Sequence, residues 1–218
     1  MIILAGIVSV RAHSAVVTLD FEAPLPGGLV AATHSHLATA PASAILTSQY
    51  SSFGVHFDGA VLLNLGMGHA TSGMNGLGGL DGLGRFNSGS PITLTFVSPA
   101  DGVTAATTDF FSVNTDLFGA SDNSALVSAY DGSGILLGTA TYQEPGQNGL
   151  TPIVLTGIGQ IHTIVVDATL NDMITGVGGI QFDLFSYNTP VVPEPSACSL
   201  LLFGVALGLR RARIVHKD

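Results

Sequence analysis

The stretch Ala125-Leu-Val-Ser-Ala-Tyr-Asp-Gly-Ser-Gly-Ile-Leu-Leu-Gly-Thr-Ala-Thr-Tyr142 contains two runs of alternating residues around a glycine-rich centre. Residues that alternate with a period of two place one side of a strand against a core. The centre, Asp131-Gly-Ser-Gly134, is a tight-turn sequence, because glycine adopts the backbone angles that a chain reversal requires. The stretch therefore predicts a β-hairpin with strands over residues 125–130 and 135–142.

Similar short runs recur on both sides of this hairpin, and no segment shows a sustained helical period. They cover residues 17–22, 53–57, 92–97, 109–113, 153–155, 161–166 and 180–187. We therefore predict an all-β protein with a single antiparallel β-sandwich over residues 15–190, jelly-roll-like and with about nine strands. Residues 24–48 are interpreted as a surface loop with one short strand, and the glycine-rich residues 65–89 as a flexible loop.

Charge is distributed very unevenly along the chain. Between Ala15 and Pro190 there are thirteen acidic residues and a single basic one, Arg85. A domain with that much negative charge repels nucleic acid and anionic membrane surfaces, so neither is an expected partner of the domain. Neutral polymers and metal cations are compatible with it, and acidity also simply keeps an exported domain soluble.

Residues 1–14 have the features of an export signal. An apolar run of ten residues is followed by Arg11-Ala-His-Ser14, in which Ala12 and Ser14 are small residues at alternate positions. That pattern is typical of a secretory signal with its cleavage site, here after Ser14. Because no basic residue precedes the apolar run, we expect the natural start to lie further upstream. The alternative is a buried first strand.

The C-terminal residues 191–218 combine a stiff spacer, an apolar run and a basic stop. The spacer is Val192, Pro193, Glu194, Pro195 and Ser196; the run ends at Leu209; the stop is Arg210, Arg211 and Arg213. The run partitions into a bilayer, and the basic cluster stays on the cytoplasmic side. Its thirteen residues would span only about 20 Å as a helix, short of a hydrocarbon core of about 30 Å. We expect a short transmembrane-like helix that anchors the chain transiently.

This end resembles the PEP-CTERM sorting domain of Gram-negative bacteria in the order and chemistry of its three parts. The tail beyond the basic stop, residues 214–218, is longer than is usual for that domain. The resemblance implies that an exosortase, a membrane peptidase, processes the chain near the Pro-Glu-Pro motif. It also implies an inner-membrane intermediate and a final place at the cell surface or outside the cell, often in bacteria that make extracellular polysaccharide or biofilm. A plain membrane anchor is the alternative.

The predicted sandwich is similar to the jelly-roll domains that often precede this tail, and to certain carbohydrate-binding modules. The similarity lies in Thr18-Leu-Asp-Phe-Glu22, Gln49-Tyr-Ser-Ser-Phe-Gly-Val-His-Phe57, Ala129-Tyr-Asp-Gly-Ser-Gly134 and Gly179-Ile-Gln-Phe-Asp183. It implies a structural calcium ion shared by an acid near the first strand and one on the last. Glu22 and Asp183 occupy those positions, and Asp20 is a third candidate ligand. The alternative is that all three are solvent-facing acids on half-buried strands.

Other candidate binding residues are few. His34 and His36, two positions apart, would face the same way on a strand and could share a metal ion, or they are exposed loop histidines. Tryptophan, the residue on which sugars most often stack, is absent. Four tyrosines could substitute for it, namely Tyr50, Tyr130, Tyr142 and Tyr187.

Recognised catalytic motifs are absent from the sequence, whether of the serine-nucleophile, zinc-protease, phosphate-loop or dinucleotide type. The lone cysteine, Cys198, lies in the C-terminal apolar run, so the domain has no thiol nucleophile and no disulfide. We therefore expect a non-enzymatic exported protein of the cell surface or an extracellular matrix. A carbohydrate-binding module would instead show a concave face with exposed tyrosines, and a hydrolase would show a deep pocket with paired carboxylates.

Overall fold

The computed structural model of the chain describes residues 15–67, 69–115, 124–143, 152–169 and 180–193. Within these ranges there are thirteen strands, and short 3₁₀ turns lie at Pro26–Gly28, Ala42–Ala44 and Ser51–Phe53. The strands are β1 Val16–Leu19, β2 Ala32–Thr33, β3 Ile45–Leu46, β4 Val55–Asp58, β5 Ala60–Asn64, β6 Asn75–Gly79, β7 Ile92–Phe96, β8 Thr108–Thr115, β9 Ser124–Tyr130, β10 Leu136–Gln143, β11 Ile153–Ile161, β12 Thr163–Thr169 and β13 Phe182–Asn188.

The strands form two sheets that share one main core, so the all-β prediction is confirmed. The larger sheet has the order β11-β8-β13-β6-β5-β2, with β1 added beside β13 and β3 beside β5. The smaller sheet has the order β10-β9-β12-β7-β4. The expectation of a purely antiparallel sandwich is wrong at one edge, where β2 runs parallel to β5. Both sheets contribute to one cluster of buried apolar side chains.

Phe21 lies in the middle of the aromatic part of this core. Its ring makes edge-to-face contacts with Tyr50, Phe57 and Phe185 at centroid separations of 5.6, 6.1 and 5.4 Å. Its backbone has a φ of 56°, which is unusual for a bulky residue and costs about 1–3 kcal/mol. Aromatic packing of this kind stabilises the ring's position beyond the area it buries, and so offsets that cost.

The predicted hairpin is present, but the prediction of about nine strands is too low. Strands β9 and β10 pair antiparallel, with Tyr142 opposite Ala125. The additional strands are β2, β3, β5 and β6, which lie in stretches without apolar alternation. Strands β2 and β3 have only two residues each, too few to show an alternation of apolar and polar residues.

Strand β6, Asn75-Gly-Leu-Gly-Gly79, lies where the sequence predicts a flexible loop, and that prediction is wrong for these residues. Four of the five residues are buried. A Cβ atom on Gly78 would overlap the ring of Phe86, and one on Gly79 would overlap the backbone of Ser90. Glycine is therefore required here because neighbouring groups approach the strand closely, and not because the chain turns.

The predicted targeting segments fall largely outside the described residues. Residues 1–14 are outside, and so are residues 194–218, which hold Glu194, Pro195, Ser196 and the basic stop. Val192 and Pro193 are described, and both are exposed. In the described part of the chain, no helix is both long and apolar enough to cross a membrane. The transmembrane-like helix predicted for the tail stays a prediction.

Candidate functional site

The acids with an implied calcium role lie where the larger sheet changes its pairing. Strand β13 pairs with β6 at Phe182 and with β1 from Phe185 onward, so both neighbours use the same edge of β13. At the change, the register with β8 shifts after Asp183, and Leu184 has a left-handed φ of 49°. Backbone N–H groups near such a break lose their ladder partners and need other acceptors.

Asp183 supplies acceptors at this break from a fully buried side chain, 0% exposed. Its Oδ2 accepts a hydrogen bond from the Ser72 amide at 2.6 Å. Its Oδ1 accepts from the Ser72 hydroxyl at 3.0 Å and from the Leu184 amide at 2.7 Å. Burial raises the pKa of Asp183, the charge of Glu22 acts in the same direction, and these hydrogen bonds oppose the shift.

Glu22 supplies acceptors to Met74 and Asn75, at the other end of the loop that contains Ser72. Its Oε1 accepts hydrogen bonds from the amides of Met74 and Asn75 at 2.7 and 2.8 Å. Its Oε2 accepts from the Asn75 side-chain amide at 3.2 Å. A Cβ atom on Gly73 would lie 2.7 Å from Glu22 Oε1, so glycine at this position lets the loop wrap around the carboxylate.

Asp20 is exposed and lies at the rim of this arrangement. Its Oδ1 accepts a hydrogen bond from the Glu22 amide at 3.1 Å, and its carbonyl oxygen lies 2.9 Å from the Ser72 hydroxyl, whose single proton is shared between this carbonyl and Asp183 Oδ1. The carbonyl of Phe21 accepts from the Asn75 side chain at 3.0 Å. Residues 20–22, residues 71–75 and Asp183 therefore form one hydrogen-bonded unit, which we call the junction cluster.

The junction cluster brings Glu22 and Asp183 to one loop, but their oxygens accept from N–H and O–H donors. A calcium ion needs six to eight oxygen ligands directed at one centre. Among the described residues, no group of three or more acidic, histidine or cysteine side chains is arranged to hold a metal ion. As placed, Asp20, Glu22 and Asp183 do not provide a calcium shell by themselves, and calcium binding at this position stays a prediction.

Ser72 and Asn75 are the junction residues that sequence reasoning missed. They lie within residues 65–89, where the many glycines predict a flexible loop. Both residues make their side-chain hydrogen bonds to residues more than fifty positions away. No local pattern identifies contacts of that range, and a polar residue beside a glycine is too common to be a signal.

Three of the four tyrosines are buried, so they do not form the exposed sugar-stacking face that would favour a carbohydrate-binding module. Tyr50, Tyr142 and Tyr187 are buried, with 4, 2 and 0% of their surface exposed, and Tyr130 is half-buried. Burial raises the pKa of Tyr50 to about 12, with a further contribution from Asp20. The Tyr187 hydroxyl donates to the Phe53 carbonyl at 3.0 Å, as a buried hydroxyl requires. The three buried tyrosines are core residues.

His34 and His36 follow the short strand β2 and are half-buried. Both imidazole rings pack against Phe86, with centroid separations of 5.2 and 5.8 Å. Burial lowers the pKa of His34, and His36 and His69 nearby add to this effect. The pair therefore contributes apolar packing at this edge of the larger sheet, which neither the metal interpretation nor the exposed-loop interpretation anticipates.

No protein-family model and no curated protein matches this chain. Among solved structures, it is similar to the crystal structure of a DUF4465 family protein from Bacteroides caccae ATCC 43185, with 10% sequence identity and a TM-score of 0.41. The similarity covers 86% of this chain and 98% of that one.

Proposed function

We propose that this chain is an exported, non-enzymatic protein of the bacterial cell surface or extracellular matrix, sorted by an exosortase-type membrane peptidase that processes its tail. The observation that carries the proposal is the tail sequence: a Pro-Glu-Pro motif at 193–195, an apolar run, and three arginines within residues 210–213. An apolar run is held in a bilayer by its hydrophobic surface, and basic residues on one side set its orientation.

The way in which the described domain ends supports a tail that is accessible to a peptidase. Val191 and Thr107 exchange two backbone hydrogen bonds, both of 2.9 Å. Val192, which follows, is 47% exposed, and Pro193 is exposed as well. The motif therefore begins directly beyond the last backbone pair of the domain, outside both sheets.

The two ends of the described domain are tied together, which suits a domain that is held through its tail. The Thr189 amide and hydroxyl both donate to the Ala15 carbonyl, each at 2.8 Å. Strands β1 and β13 continue this contact as a paired ladder. The first strand therefore stabilises the strand that leads into the tail.

The finer parts of the proposal follow from the resemblances of the tail and the strand motifs. They are a jelly-roll-like arrangement of the sandwich, an inner-membrane intermediate, and an extracellular polysaccharide layer or biofilm as the final environment. The acidity of the domain is compatible with this environment, since it disfavours retention by anionic lipid.

Mass spectrometry of the mature protein tests the proposal in a host with exosortase. Replacing Pro193, Glu194 and Pro195 by alanine should leave export intact and block processing, so that the variant keeps its tail and has a higher mass than the wild type. A matched control replaces Ile214, Val215 and His216 by alanine, beyond the basic stop, and should be processed normally. A motif variant that loses its tail as the wild type does, or a wild type that keeps its tail, would reject the sorting role, and an intact cytosolic chain would reject export.

A further inference from the structure

A cleft of about 610 Å³ crosses the outer face of the larger sheet. Four strands that lie side by side line it, in the order β11-β8-β13-β1. Its lining residues are Thr156, Gly157, Gly159, Gln160, Asp109, Phe110, Asn188 and Val16. Because neighbouring strands lie about 4.8 Å apart, the cleft extends roughly 14 Å across the sheet. That length suits a short stretch of polymer better than a single small molecule.

The cleft faces away from the core because its residues alternate with core residues. On β8, Phe110 is half-buried and alternates with the fully buried Phe111, while Asp109 is exposed near the start of the strand. On β13, Tyr187 is fully buried and the next residue, Asn188, is half-buried. This alternation directs Phe110 and Asn188 away from the core.

A distortion of β11 forms one wall of the cleft. This strand pairs with β8 up to Thr156 and again at Ile161, and the register shifts between these points. Gly157 and Gly159 have φ angles of 70° and 113°, and a Cβ atom on Gly157 would have no atom within 4 Å. A bulge bends the strand away from its ladder, and glycine leaves the backbone open to a ligand.

The chemistry of the lining selects a neutral polyhydroxyl ligand. The Asn188 side-chain amide donates to Asp109 Oδ1 at 2.7 Å, so a carboxylate and a carboxamide lie side by side. Together they can accept hydrogen bonds from neighbouring hydroxyl groups and donate to them. Among the described residues that line the cleft, none is basic and one is a carboxylate, which disfavours anionic ligands.

Apolar surface in the same cleft complements these polar groups. Phe110 offers a half-buried ring, and Val16 is 60% exposed. Sugar rings combine hydroxyl groups with apolar C–H faces, and an aromatic ring provides a rigid apolar surface for such a face. A concave site with apolar lining and a few convergent polar groups is the usual form of a ligand site, and its volume lies in the usual range.

We infer that this cleft binds neutral polysaccharide, with Asp109 and Asn188 on the sugar hydroxyls and Phe110 against a ring face. The inference deepens the proposed function, because it names the class of extracellular polymer that the domain holds. It stands on the cleft alone, and so it can fail while the sorting proposal holds.

Affinity electrophoresis of the exported protein tests this inference. Native gels contain dextran or galactomannan as neutral polymers, or alginate as an anionic one. We expect at least one neutral polymer to retard the protein and alginate not to do so. The replacements Asp109→Ala, Asn188→Ala and Phe110→Ala should each weaken the retardation about tenfold, which corresponds to about 1.4 kcal/mol.

Matched controls lie outside the cleft. Asp58→Ala removes an exposed carboxylate on β4 of the smaller sheet, and Phe53→Ala removes a phenylalanine that is 44% exposed. Both should bind as the wild type does. Because loss of binding could follow from unfolding, melting curves accompany every variant. Thr156→Arg is a second cleft variant, since it blocks the cleft from an exposed position without removing a core contact.

Three results would overturn the inference: no retardation by either neutral polymer, retardation by alginate equal to that by the neutral polymers, or unchanged retardation in the folded cleft variants. Tail processing is measured separately by mature mass. Lost binding with normal processing rejects the cleft assignment alone, and an unprocessed tail with normal binding leaves that assignment intact.

Discussion

Ser72 holds both oxygens of the Asp183 carboxylate, with its amide 2.6 Å from Oδ2 and its hydroxyl 3.0 Å from Oδ1. The two residues are 111 positions apart in the sequence, so this contact ties the loop of residues 71–75 to the last strand. Because Asp183 is fully buried, the donors around it replace the water that a carboxylate otherwise binds.

We predict that Ser72→Ala lowers the free energy of unfolding by about 1–3 kcal/mol, because a buried carboxylate loses its hydroxyl donor. Urea denaturation measures the change. Ser133→Ala is the matched control, since Ser133 is exposed in the turn between β9 and β10 and should change stability little. Equal losses in both variants would contradict a specific role for the Ser72 hydroxyl.

Burial also makes the contribution of Asp183 to stability depend on pH. The pKa of Asp183 is raised in the folded protein. At pH values between the ordinary pKa of about 3.9 and the raised pKa, Asp183 is therefore protonated to a greater extent in the folded state than in the unfolded chain. The contribution is therefore fully present below about pH 3.9 and is lost as pH rises through the folded pKa. The difference in unfolding free energy between wild type and Asp183→Asn should decrease as the pH rises above about 4. A difference that does not change with pH would show that Asp183 does not titrate in this way.

The glycines of β6 are predicted to be indispensable for packing. A Cβ atom on Gly78 would overlap the Phe86 ring and would lie 2.7 Å from Leu63 Cδ1. Overpacking of this kind costs about 1–3 kcal/mol, and we expect Gly78→Ala to lower stability by that amount. Gly132→Ala, at a turn position where a Cβ atom has no neighbour within 4 Å, is the control. Thermal melts in which both variants match the wild type would restore the flexible-loop interpretation.

Thermal melting with and without a chelator tests whether calcium binds at the junction cluster. The calcium hypothesis predicts that EDTA lowers the melting temperature of the wild type, because an ion that binds only the folded state stabilises it. Glu22→Gln should then melt at the same temperature with and without EDTA. Identical wild-type melting curves in EDTA and in excess calcium would contradict calcium binding. The junction cluster would then be held by its hydrogen bonds alone.

The parts of the fold that the sequence predicts are those encoded by residues close together along the chain. Strand β7 alternates strictly between buried and half-buried residues, and β9 and β10 pair antiparallel on either side of the predicted turn. Strand β6 has no such alternation, because glycines fill its buried positions. The junction cluster was predictable only in part: Asp20, Glu22 and Asp183 are visible as candidate acids, whereas the donors from Ser72 and Asn75 have no sequence signal.

The sequence by itself determined the all-β class and the hairpin around residues 131–134, and it raised the sorting hypothesis through the order of residues in the tail. These features depend on residues that are close together along the chain. Only the tertiary structure decided that Asp183 meets Ser72, that Asp109 meets Asn188, and that three tyrosines are core residues. Such contacts depend on strand order and register, and a shift of one residue would turn each of these side chains to the opposite face of its sheet.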